Sequence, residues 1–163
     1  MSSKVLITQG TRPFAQRVAR ELSSPKQQVL FGSADEVPDV LLRTGNYLRI
    51  PHPSMPVFVH ELLKICLDSE VDILIPMGKN ELYPLAKARP LFAEYGVEVW
   101  VPDVADLAGL VIIESPPRKL PLLVVSDGVV VTGPEAGKRH GTLSGVFIPS
   151  DSGDEMALCC IAD

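Results

Sequence analysis

Residues 70–102 read EVDILIPMGKNELYPLAKARPLFAEYGVEVWVP, and the fold class follows from this stretch. Val71-Asp72-Ile73-Leu74-Ile75 is a short, mostly apolar β-branched run, as a parallel strand buried on both faces requires. Met77-Gly78-Lys79-Asn80 makes a turn, with Asn80 placed as a helix N-cap and Glu81 in the first turn, where a carboxylate suits the helix dipole. Leu82, Leu85, Ala86 and Phe92 recur at helical spacing. Gly96 punctuates the end, and Val97-Glu98-Val99-Trp100-Val101 forms a second strand. Such a βαβ crossover implies a parallel sheet covered by helices. Pro90 removes a hydrogen bond inside this helix, which predicts a kink or a break into two pieces.

Working outward, Lys4-Val5-Leu6-Ile7-Thr8 is the first strand, followed by the tight loop Gln9-Gly10-Thr11-Arg12. Pro13 stands at a first helical position, where its missing N–H is not needed. Phe14, Val18 and Leu22, with Ala15 and Ala19, give this helix one apolar face, while Arg12, Gln16, Arg17, Arg20 and Glu21 cover the rest. Ser23-Ser24-Pro25 ends it. Gln28 to Gly32 and Asn46 to Ile50 are two further strands, separated by an acidic loop from Ser33 to Thr44. Ser54 then caps a helix with Pro56 in its first turn and Phe58, Leu62, Ile65 and Cys66 on its buried stripe.

After Pro102 the pattern changes. Asp103 to Leu110 suits a helical turn or two, and Val111 to Ile113 a strand. Leu120 to Val125, Ser126-Asp127-Gly128 and Val129 to Thr132 signal a hairpin, because Asp-Gly tolerates the positive φ of a type I′ turn. Leu143 to Ile148 and Met156 to Ile161 are two more strands, joined by the acidic turn 151–155. The expected organisation is an α/β unit over 1–103 and a β-rich, antiparallel extension over 104–163 that extends or caps the same sheet.

The totals exclude several function classes. The chain has 163 residues, 46% hydrophobic and 21% charged, with a formal net charge of −5. That balance is globular. No run of Lys and Arg exceeds two residues, so nothing builds a phosphate-tracking face, and no nucleic-acid partner is expected. The apolar runs fall far short of the ~20 residues that cross a bilayer, so no membrane partner is expected. The start of the sequence lacks a secretory leader pattern, which predicts a cytoplasmic protein. The three cysteines are expected reduced and buried; neighbours Cys159 and Cys160 would point to opposite faces of a strand. No His or Cys pair has metal-ligand spacing, so neither metal nor cofactor is expected.

Four blocks stand in order: KVLITQGTRPFAQRVAREL (4–22), NYLRIPHP (46–53), VDILIPMGKNELYPLA (71–86) and VEVWVPD (97–103). Together they resemble the pre-ATP-grasp domain, the Rossmann-like N-terminal domain of ATP-grasp ligases such as the carbamoyl phosphate synthetase large subunit and stand-alone carboxylate–amine ligases. The resemblance covers roughly 4–103. It implies a three-layer Rossmann-like parallel sheet that docks against ATP-grasp domains and contributes to an acceptor-substrate site. The sequence carries no ATP-grasp portion with its ATP-holding lysines and magnesium-holding carboxylates. The resemblance therefore implies the scaffold and not the reaction.

Ligands of open parallel sheets sit beyond the carboxyl ends of the strands, where strand order reverses. The family's loops there match Thr8-Gln9-Gly10-Thr11-Arg12 and Pro76 to Glu81. Gly10 would let backbone approach a ligand, and Arg12 beside a helix N-terminus would hold a carboxylate or phosphate. In the second loop, which also offers Gly78 to the crevice, Asn80 and Glu81 would recognise a substrate amine or hydroxyl, or else serve as cap and first-turn residues. His52, between prolines, would join the crevice. Lys138-Arg139-His140 forms either an anion site or a solvated turn. The expected function is a non-catalytic module that binds a small anion or a protein. The alternative is the substrate-binding half of a split carboxylate–amine ligase with a separate ATP-grasp partner. A homodimer paired through the β-rich tail is a third expectation.

Overall fold

The computed structural model describes residues 3–22, 27–114, 116, 118, 120–132, 136–139, 141–149 and 156–161. In chain order, strand β1 (Ser3–Ile7) leads into helix α1 (Pro13–Glu21), then β2 (Gln27–Ser33), α2 (Asp39–Arg43), β3 (Tyr47–Arg49), α3 (Phe58–Asp68), β4 (Ile73–Ile75), α4 (Lys79–Glu94) and β5 (Glu98–Val99). These five strands make one sheet in the order β3-β2-β1-β4-β5, every pair parallel. Val5, Leu6 and Ile7 are fully buried, because helices cover both faces of the central strand. The chain builds outward from β1 to β3, then crosses back to β4 on the other side, so strand order reverses between β1 and β4.

Several local expectations change. The 33–44 loop contains α2, and none of that helix's residues is buried. Ser54 does not cap α3: the chain makes turns through 53–57, His52 Nδ1 holds both the Ser54 hydroxyl (2.8 Å) and the Ser54 N–H (3.2 Å), and the helix begins at Phe58. Helix α4 is not split at Pro90. It runs through both Pro84 and Pro90, because Leu82, Leu85, Ala86, Ala88 and Phe92 anchor it against the sheet on either side of the missing bonds. It closes with Gly96 N–H on Ala93 and Val97 N–H on Phe92, the paired bonds of a Schellman end.

The second sheet is built from β6 (Ile112–Glu114), β7 (Leu123–Ser126), β8 (Val129–Val130), β9 (Gly145–Pro149) and β10 (Met156–Cys160), after the short helix α5 (Val104–Gly109). Its order is β6-β10-β9-β7-β8. It is mixed, not purely antiparallel, because β6 runs parallel to β10. The β7–β8 hairpin turns on Asp127 (φ 46°) and Gly128 (φ 83°), the two positive φ values of a type I′ turn. A Cβ at Gly128 would fall 2.0 Å from the Gly141 carbonyl oxygen, so only glycine fits.

Both apolar cores run through both sheets. One gathers Leu6, Leu30 and Leu74 with Val125, Phe147 and Leu158; the other gathers Val5, Ile7 and Ile75 with Val124, Ile148 and Cys159. The sheets meet at a parallel bridge between Gly78 and Ile161. Among the described residues no helix is long and apolar enough to cross a membrane. Residues 23–26, Pro117, His140 and the 151–155 turn lie outside the described residues.

Candidate functional site: an arginine-lined groove beside helix α1

The switch point between β1 and β4 is where the resemblance places a ligand. It is filled by the protein itself. Ile161 N–H donates to the Met77 carbonyl (2.7 Å), and Lys79 N–H donates to the Ile161 carbonyl (3.0 Å), so the end of β10 lies along the loop after β4. Thr8, fully buried, accepts the Met77 N–H on its hydroxyl at 2.7 Å and donates its own N–H to Ile75. Gly10 is pressed against β2, where a Cβ would sit 2.4 Å from Phe31 Cβ. Its lack of a side chain serves strand packing.

Gly78, not Asn80, is the N-cap of α4; Asn80 is exposed within the first turn. Glu81 is buried, with 2% of its surface exposed, and its carboxyl and the Gln9 amide both lie about 3 Å from where a Gly78 Cβ would be. Thr8, Gln9, Gly78 and Glu81 thus lie together and knit the two loops to each other, while Gly10 packs against β2. His52 is exposed and bonded to Ser54, apart from this cluster's hydrogen bonds.

Arg12 and Thr11 are exposed. Arg12 opens onto a groove of about 850 Å³ that runs along α1 and is walled on the far side by Pro116, Arg118 and Ile161. Helix α1 and its N-cap contribute Arg12, Arg17 and Arg20 to it, and Glu21 is the one carboxylate among the described lining residues. Arg17 donates through Nη2 to the Leu120 carbonyl and, at 3.4 Å, to the Arg118 carbonyl, tying the far wall to α1. Among the described residues no carboxylate forms an ion pair with Arg12, Arg20 or Arg118. Gln16, also in the lining, anchors its amide on the Gly10 carbonyl (2.7 Å) and the Tyr47 hydroxyl (3.0 Å), which fixes the start of α1.

Sequence reasoning found Arg12 and assigned Arg17 and Arg20 to a solvated face. The recurrence Arg12, Gln16, Arg20 at helical spacing is the signal that marks them as one ridge. Nothing local points to Arg118, which the fold brings across from the segment after β6.

Cys66 and Cys159 do not offer a nucleophile. Burial pushes both thiols up to about 12; beside Cys159, Cys160 adds to the rise and Arg17 opposes it. Cys66, Cys159 and Cys160 are all buried, and none is in a disulfide. Among the described residues no group of three or more His, Cys, Asp or Glu side chains is placed to hold a metal ion. Lys138 and Arg139 are exposed, and Arg139 forms a strand bridge with Val129. No family model matches the chain, and no curated protein matches it.

Proposed function

We propose that the chain is a small-anion-binding module on a Rossmann-like, pre-ATP-grasp-type scaffold, without ligase activity of its own. The observation that carries this reading is the start of α1. A helix N-terminus bears roughly half a positive charge, and carboxylates or polar caps normally sit there. Here the N-cap is Arg12, no side chain caps the helix, and its first turn holds no acidic residue. A cation at that end opposes the dipole by about 0.3–1 kcal/mol. An anion bound there meets the Arg12 guanidinium together with the N–H groups that follow Pro13, which has none of its own to offer. The parallel order with its reversal beside β1 supports the scaffold assignment.

The test is thermal denaturation with a panel of carboxylates and phosphates. The expected result is a rise in Tm with at least one of them, lost in Arg12→Gln. A panel that leaves Tm unmoved overturns the reading.

A second reading, the substrate-binding half of a split carboxylate–amine ligase, draws on the exposure of Thr11 and Arg12 at the groove mouth. Recovery of a protein with ATP-grasp motifs from native lysate supports it, and recovery of none removes its support. The homodimer is a third reading: β6 is an edge strand, and its first residue Ile112 and the preceding Val111 are exposed. A monomer mass by light scattering at high concentration refutes it.

A further inference from the structure

Resting on the anion-binding reading above, we infer that the groove takes a linear oligophosphate, a chain of three or more phosphates, either free or as the tail of a nucleotide. The arrangement of charge carries this. The arginines are strung out and not focused on one point. Arg12 stands at the start of α1 and Arg20 in its last turn. Eight helical positions at 1.5 Å each separate their backbones by about 12 Å. Arg17 lies between them, so positive potential continues along the wall even though that guanidinium is bonded to the Leu120 carbonyl. Arg118 adds a fourth charge from the opposite side.

A single phosphate engages one end of such a row and leaves the other unmatched. A dicarboxylate of equal length matches the ends and leaves the middle unmatched. A phosphate chain carries charge throughout, and each guanidinium fork fits its oxygens in paired hydrogen bonds. The groove's volume of about 850 Å³ lies in the range of whole cofactor sites and far exceeds one phosphate. Pro13, Phe14 and Pro116 between the arginines give a stiff apolar wall, and Glu21 at the far end of α1 sets the limit of the chain.

The experiment is calorimetric titration at fixed ionic strength with orthophosphate, pyrophosphate, tripolyphosphate, ATP and glutarate. The expected result is an affinity at least tenfold higher for tripolyphosphate than for orthophosphate. Arg20→Gln should erase that gain, and Arg12→Gln should weaken every phosphate. Both side chains are exposed, and a circular-dichroism melt checks that the variants fold. ATP binding tighter than tripolyphosphate supports the proposal and assigns the nucleotide tail; the reverse supports it and assigns the free chain. Orthophosphate or glutarate binding as tightly as tripolyphosphate overturns the oligophosphate assignment and leaves the anion reading standing. Absence of binding by every anion overturns both.

Discussion

The Thr8 hydroxyl accepts the backbone N–H of Met77 at 2.7 Å, a bond between the ends of the two strands that flank the reversal in strand order. Both residues are fully buried, so no water replaces it. Thr8→Val keeps the shape and removes the acceptor, leaving the Met77 N–H buried and unbonded. The expected cost is about 1–3 kcal/mol in urea denaturation, and Thr8→Ser should recover most of it. Equal stability of the valine variant would show that the bond contributes nothing net.

Two glycines make opposite predictions under the same substitution. Gly10→Ala drives a methyl to 2.4 Å from Phe31 Cβ, and the neighbour is a β-carbon on the adjacent strand that cannot swing aside. A loss of about 1–3 kcal/mol or more is expected. Gly109→Ala, in α5, meets nothing within 4 Å and should be neutral or slightly stabilising. Paired denaturation curves of the two variants decide the matter.

Asp103 caps α5 by accepting the Asp106 N–H on Oδ1 at 2.8 Å. Asp103→Ala should cost about 1 kcal/mol, and Asp103→Asn or Asp103→Ser much less. Amide exchange at Asp106 and Leu107 is expected to quicken in the alanine variant alone.

Alkaline pH should weaken the fold through its thiols. Burial raises Cys66 and Cys159 from the ordinary 9.0 to about 12, so the folded chain keeps protons that the unfolded chain releases. Their contribution is therefore complete below pH ~9 and is lost as the pH rises toward 12, at about 1.4 kcal/mol per pH unit for each thiol. Urea midpoints should hold steady from pH 7 to 8 and fall between 9 and 10.5. Cys66→Ala should flatten that fall, and thiol reagents should label the native protein slowly at pH 8.

The parallel sheet was legible because its central strands, Val5 to Ile7 and Ile73 to Ile75, are uninterrupted apolar runs. The Asp127-Gly128 turn was legible because few dipeptides accept two positive φ values. The helix starts were not. Asn80 has the identity of a cap, yet α4 begins two residues earlier than a cap there requires, because the Ile161 carbonyl takes the Lys79 N–H that would otherwise be left to water. Ser54 was misread in the same way, its side chain and N–H being held by His52. Helix α2 buries none of its residues, so it leaves no apolar period to detect. Of the candidate site, Arg12 was readable from its place before Pro13. The groove as a whole was not, since Arg118 and Ile161 reach α1 only through the packing of the second sheet.

The seam between Ile161 and the Met77–Lys79 loop also sets an order of events during folding. Its partners are far apart along the chain, so closing it costs more loop entropy than the neighbouring strand pairings β1–β2 or β7–β8. On the ribosome, residues 77–79 emerge well before residue 161, and until then their backbone groups face water. Seating Ile161 is thus a late step, after which the helix-covered sheet no longer presents its reversal point to solvent.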